Sequence, residues 1–289
     1  MQRTTGTTSA VSGPSMAEPL VRLRPRLADL DETPARWRIV ACPPAGAGAQ
    51  YYRPLVRAGV QVWSVRYPGR ESRIAEPFAR SIAQLADEVT RGLAPLLAPG
   101  GGDDLPTVLL GHSMGARVAI EVARRLRHAT SSAGGCLALL ALSASEAAVH
   151  HERDDADDLR RISADDVALR DWLVGLGGVP AELLADEDFM AMQLPIVRAD
   201  LTASLDHVID PHTPRIDVPM MLLCGDRDPV VRLEDMVGWA TVTSADVREL
   251  ALRGGHDAVI EDAATLLDAM EDLMASAGAP APRRAKEHA

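Results

Sequence analysis

The sequence predicts an α/β protein: a mostly parallel central sheet flanked by helices, with a helical lid insertion late in the chain. Three observations carry this. Short β-branched and apolar runs alternate with segments of helical periodicity. One of those runs, Leu137 to Leu142, is apolar throughout, as a strand buried on both faces is. Gly111-His112-Ser113-Met114-Gly115 stands where another run meets a strongly helical segment, the setting of a sharp strand-to-helix turn.

With 289 residues and 47% hydrophobic content, the chain can bury one large core. A single domain is expected over residues 19–274. Residues 1–18, polar and Thr-rich, and residues 275–289, rich in Ala, Pro, Arg and Lys, are expected to be disordered tails, with Met16 an alternative start. A net charge of −11 argues against a general basic surface for nucleic acid. No stretch is apolar for long enough to span a bilayer and no signal-peptide pattern opens the chain, so a cytoplasmic monomer is expected. The three cysteines, Cys42, Cys136 and Cys224, have no paired spacing and read as buried reduced thiols.

In chain order, residues 20–24 suit a short strand and Arg38 to Cys42 a better one. The following Pro43-Pro44-Ala45-Gly46-Ala47-Gly48-Ala49 cannot continue it and forms a small-residue loop with open amides. Residues 60–66 alternate as a strand that breaks at Tyr67-Pro68-Gly69-Arg70. Ser81-Ile82-Ala83-Gln84 has the capping-box form, and Ile82, Leu85, Val89, Leu93 and Leu96 follow at helical spacing. After Ser113, polar residues fall on one stripe of the next helix: Arg117, Glu121, Arg124, Arg125 and His128. From about 145 to 215 the alternation stops. Helices are expected from Ser163 to Leu176, from Val179 to Leu184 and from Asp186 through Leu201, roofing the site as a lid. Its Met and Leu residues fit an acyl channel or simple helix packing equally. The run His150 to Asp155 lacks metal-binding spacing and reads as a solvated lid loop, so no metal is expected. The sheet resumes at Val218 to Cys224 and ends with Val247 to Leu250.

A Gly-x-Ser-x-Gly pattern arises by chance in about one chain of this length in ten, so its context matters. The strand-to-helix setting makes Ser113 a candidate nucleophile at an elbow, where Gly111 and Gly115 keep side chains out of a tight turn. A carboxylate just past a late strand is the expected third member. Asp226 and Asp228 both qualify, and Asp228 is preferred, leaving Asp226 to brace the turn. His256, after Arg253-Gly254-Gly255, completes the order Ser, Asp, His. His112 is adjacent to the elbow and points away. The amides of Met114 and Ala45 are the expected oxyanion donors.

These residues resemble the type II thioesterases, the stand-alone α/β-hydrolases that accompany polyketide synthases and nonribosomal peptide synthetases. The resemblance covers roughly Leu20 to Met274. It rests on Pro43-Pro44-Ala45-Gly46, Tyr67-Pro68-Gly69-Arg70-Glu71-Ser72-Arg73, the elbow, Leu176-Gly177-Gly178-Val179-Pro180, Leu194-Pro195-Ile196-Val197-Arg198-Ala199-Asp200 and Gly254-Gly255-His256. The Pro-Gly-Arg-Glu and Leu-Pro-x-x-Arg-Ala-Asp stretches discriminate it from generic esterases. Two departures stand out. Pro44 and Ala47 replace the family's usual His and second Gly, and Ser143-Ala144-Ser145-Glu146-Ala147 replaces Ser-Gly-x-x-Pro-Pro.

The resemblance implies hydrolysis of acyl groups from the phosphopantetheine arm of acyl or peptidyl carrier proteins, bound transiently and in trans. No cofactor of the enzyme's own is implied, because the substrate carries the phosphopantetheine. Carriers are commonly acidic, so Arg66, Arg70 and Arg73 are candidate carrier contacts. Alternatives are a chain-releasing thioesterase or acyltransferase, a small-molecule carboxylesterase, and a non-catalytic partner of acylated carriers.

Overall fold

The computed structural model describes residues 18–25, 33–97, 105–129, 137–147, 156–210 and 212–276. Seven strands form one sheet: β1 (Leu20–Leu23), β2 (Trp37–Cys42), β3 (Val60–Val65), β4 (Thr107–His112), β5 (Leu137–Ser143), β6 (Met220–Gly225) and β7 (Val247–Leu252). Their spatial order is β1-β3-β2-β4-β5-β6-β7. Only β1 runs antiparallel, Leu20 facing Val65; every other pairing is parallel. The α/β-hydrolase architecture read from the sequence is the one observed. β6 starts two residues later than expected, since Pro219 has no N–H to give the ladder; its carbonyl still accepts from Leu140 N at 2.9 Å.

Alternation along each strand divides the core in two. Val40, Leu109, Leu140 and Leu222 face α1 (Ile82–Leu97) and α2 (Met114–Ala129), while Ile39, Val108, Leu139 and Leu223 face Tyr52 and α8 (Ala263–Ser276). Each fully buried Leu, Ile or Val contributes about 1.5–3 kcal/mol by leaving water. α1 starts as its cap predicts: Ser81 Oγ accepts from Gln84 N at 3.1 Å, and Gln84 Oε1 reaches back to Arg80 N at 3.0 Å. The stripe expected on α2 is largely covered. Arg117 and Arg124 are buried, and Glu121 accepts from Arg124, Arg125 and His207.

Between β5 and β6 lie α3 (Ala156–Ala164), α4 (Asp166–Leu176), α5 (Ala181–Leu184) and α6 (Glu187–Leu205). The helix expected from Ser163 starts instead at Asp166, capped by Asp165 accepting from Ala168 N at 2.8 Å. Ser163 and Ala164 close α3, which the sequence reading did not anticipate because Asp and Arg dominate it. α6 begins where expected, Asp186 accepting from Phe189 N at 3.0 Å. These helices have a small core of their own around Leu169, Met190, Leu194 and Val197. After β7, α7 (Ala258–Glu261) leads into α8, which runs two residues past the expected domain end. Cys42 and Cys224 are buried free thiols. Met16, Cys136, the His150 to Asp155 run and almost all of both expected tails lie outside the described residues.

Candidate active site

β4 ends at His112 and α2 begins at Met114, so Ser113 alone makes the turn, with φ +53°. A non-glycine residue there stores about 1–3 kcal/mol of strain, and its surroundings hold it. Ser113 N donates to Ser143 O at 2.8 Å on the neighbouring strand, and Ser113 O accepts from Ala116 N at 3.0 Å. The flanking glycines are dictated by contact: a Cβ on Gly111 would lie 2.2 Å from Gly115 O, and one on Gly115 would lie 1.9 Å from Cys42 O.

Asp228 lies three residues past Gly225, and its carboxylate is fully buried. Oδ1 accepts from the amides of Val230 and Val231 at 2.8 and 3.1 Å, and Oδ2 lies 2.9 Å from His256 Nδ1. Burial pushes this carboxyl up, but the His256 hydrogen bond and the two amides more than offset it and hold Asp228 below its ordinary range. The ionised carboxylate only accepts, so Nδ1 carries a proton, and in the neutral ring Nε2 is then the nitrogen with the lone pair. Asp226 Oδ1 instead accepts from Gly254 N at 2.9 Å, bracing the loop that carries His256.

His256 is brought to the elbow: its ring centre is 4.9 Å from that of His112, next to Ser113. Ser113 Oγ is not hydrogen-bonded to His256 in this structure; such contacts often close only when substrate binds. Fully buried His112 turns inward as expected, with Nδ1 3.1 Å from Ser143 Oγ. Burial first, and the nearby His256, lower its pKa. Among the described residues, the amides of Ala45 and Met114 donate to no protein acceptor.

The arginines expected to contact a carrier are otherwise engaged. Arg70 is 4% exposed and makes two 2.7 Å bonds to Asp200. Arg73 is 3% exposed and binds Glu76, Glu88 and the carbonyl of Arg66. Arg66 pairs with Glu71 and Ser72. Arg70 is spent on the insertion and Arg73 on Glu76 and Glu88, whereas Arg66 stays partly exposed, its side chain 19% accessible.

Three residues near the site were assigned no role from the sequence: Tyr51, Asp257 and Asp200, the last known only as the end of a discriminating motif. Tyr51 Oη donates to Asp257 Oδ1 at 2.6 Å, and the same oxygen lies 3.6 Å from His112 Nε2, beyond hydrogen-bond length. Burial pushes the Asp257 carboxyl up, yet the His112 and Tyr51 contacts hold it below its ordinary range. Its position directly after His256 was the available signal. A cavity of about 150 Å³ opens between the Pro44–Ala47 loop and the insertion, lined by Tyr51, Leu173, Leu184, Met190, Val197 and Asp257. Part of the insertion's Met and Leu content therefore faces a cavity, whereas Met192 points to solvent. Among the described residues, no cluster of three or more His, Cys, Asp or Glu could hold a metal, and no helix is long and apolar enough to cross a membrane.

The parallel sheet, the strained serine at the strand-to-helix turn and a histidine backed by a carboxylate define an α/β-hydrolase. Within that class, the thioesterase domain family matches residues 37–274, and the chain belongs to it. A probable cadicidin biosynthesis thioesterase of Streptomyces griseus is 32% identical over 243 residues, covering 78% of this chain and 62% of the relative. Thioesterase PikA5 of Streptomyces venezuelae is 30% identical over 253 residues, 85% of this chain and 84% of the relative. Among solved structures, the type II thioesterase YbtT of the yersiniabactin NRPS/PKS pathway superposes with a TM-score of 0.74 at 27% identity, covering 90% of this chain and 99% of that one.

Proposed function

We propose that this thioesterase releases acyl groups from the phosphopantetheine arm of acyl or peptidyl carrier proteins, acting in trans in a polyketide or nonribosomal peptide pathway in the cytoplasm. The observation that carries the reading is the positive-φ Ser113 beside a His256 whose Nδ1 is held by Asp228 at 2.9 Å. The pathways named for the relatives and for the structural neighbour support the substrate class.

In this reading Ser113 Oγ attacks the thioester carbonyl while His256 Nε2 takes its proton, and Asp228 stabilises the imidazolium that forms. The amides of Ala45 and Met114 receive the negative oxygen, each contributing roughly 3–4 kcal/mol to the transition state. Collapse breaks the C–S bond, and the thiolate leaves with the proton returned by His256. Water then attacks the acyl-serine with His256 again as base, giving the free acid and restoring Ser113. The enzyme supplies no cofactor; the phosphopantetheine arrives with the substrate.

The test loads a holo carrier with acetyl, propionyl, malonyl or aminoacyl groups and follows unloading by intact mass, beside a simple oxygen ester. Carrier thioesters should be cleaved and S113A should be inert. Faster cleavage of the oxygen ester would favour a carboxylesterase, and binding of acylated carrier without turnover would replace catalysis by recognition.

A further inference from the structure

The loop that carries Ala45 is gripped from the insertion. Ala47 N donates to Pro44 O at 3.2 Å, closing a four-residue turn with Ala45 and Gly46 at its centre. Gly46 has φ +78°, the value of the third residue of a type II turn. The N–H of Ala45 belongs to the Pro44–Ala45 peptide, the first of the three peptides within this turn. Where that N–H sits therefore depends on how the turn as a whole is held.

It is held by α6. Gly46 N donates to Asp200 Oδ2 at 2.8 Å, and Gly46 O accepts from Gln193 Nε2 at 2.6 Å. Val197 packs so closely that a Cβ on Gly46 would lie 2.6 Å from its Cγ2. Gln193, Val197 and Asp200 are spaced i, i+4, i+7, one face of one helix. Arg70 then fixes Asp200 with both terminal nitrogens and also donates to Ala47 O at 3.2 Å. The next residue, Glu71, accepts from Ala49 N at 3.0 Å. Both motifs that set this sequence apart from generic esterases thus converge on one turn.

A buried ion pair is weak evidence for stability, since desolvating both charges offsets most of their attraction and an apolar pair of similar volume often serves as well. An apolar pair, however, cannot accept from Gly46 N–H. We propose that Arg70 and Asp200 are positioning residues that set the Ala45 amide through the Pro44–Ala47 turn and couple it to the seating of α6. This rests on the reading of Ala45 as an oxyanion donor.

The test uses the full chain with R70M/D200L, in which the charges are removed and the volume is kept, and near-isosteric D200N as a second variant. Circular dichroism and thermal melting establish folding. The readouts are kcat and KM on an acyl carrier and the affinity of a trifluoromethyl ketone thioester analogue that forms a tetrahedral adduct on Ser113. R70M/D200L should lose about 10- to 100-fold in kcat with KM within about twofold and analogue affinity falling in step with kcat/KM; D200N, whose amide oxygen can still accept from Gly46 N but no longer pairs ionically with Arg70, should fall between it and wild type. Rescue should be partial in R70K, which keeps one charged donor. A folded R70M/D200L with kcat and analogue affinity within about twofold of wild type overturns the proposal, as does a loss confined to KM or to melting temperature; should that variant not fold, a D200N identical to wild type in both readouts overturns it. Wild-type turnover against an S113A blank tests the underlying reading separately: if wild type is inert, that reading fails first, and with it this one.

Discussion

The imidazoles of His112 and His256 lie with ring centres 4.9 Å apart and planes tilted by 53°, and each is turned toward a different carboxylate. His256 has Asp228 Oδ2 at 2.9 Å, while His112 has Asp257 Oδ1 at 3.6 Å. Two histidines of one residue type beside one serine thus have unlike surroundings. Only His256 combines a bonded carboxylate at Nδ1 with a free Nε2; His112 is walled in by Ser143, Tyr51 and Asp257.

From this difference, D228N should lower kcat by about 10³-fold or more, because an Asn at 228 no longer enforces the tautomer. D226N, whose carbonyl can still accept from Gly254 N, should stay within about threefold of wild type. Steady-state thioester hydrolysis by the two variants checks the assignment, and the reverse ranking would exchange the roles of the two aspartates.

Replacing Gly115 by Ala should abolish soluble expression or cost more than about 3 kcal/mol, since the new Cβ would meet Cys42 O at 1.9 Å. By contrast, a Cβ on Gly255 meets nothing within 4 Å. G255A should therefore leave the urea midpoint almost unmoved.

Arg73 provides a test of its buried role. R73A leaves Glu76 and Glu88 without their shared cation and should destabilise the fold by about 3 kcal/mol. KM for an acyl carrier should not change in the folded fraction. A rise in KM without loss of stability would return Arg73 to the docking surface.

Acid stability should follow Glu121. Burial pushes its carboxyl up, but hydrogen bonds from His207 and Arg125 prevail and lower it from 4.5 to about 2. A depressed carboxyl stabilises the fold above its unfolded value and loses that contribution as pH falls toward the folded one, here roughly 3 kcal/mol between about pH 5 and pH 2. Melting curves of wild type and E121Q should therefore differ at about pH 5 and converge toward pH 2. A gap that persists to pH 2 would contradict the linkage.

Hydrophobic periodicity was enough to read the sheet, because a strand buried on both faces can be built only from residues such as Leu137 to Leu142. The glycines around Ser113 were equally legible, since no other residue fits so close to Cys42 O and Gly115 O. Short polar helices were not. α3 is rich in Asp and Arg and gains its helicity from packing on α4 and α6, which local pattern does not record. Likewise Arg70 and Arg73 look like solvent-facing charges until the fold supplies Asp200, Glu76 and Glu88 as partners.

The amino-acid order by itself thus determined the class of architecture, the elbow and the chain order of its serine, aspartate and histidine, all of which follow from local sterics and periodicity. Only the tertiary structure decided which aspartate meets His256, which arginines are internal, and that Asp200 grips the turn bearing Ala45. The contacts of Asp228 with His256, of Arg70 with Asp200 and of Asp200 with Gly46 join residues 28, 130 and 154 positions apart, and no local propensity encodes a distance of that kind.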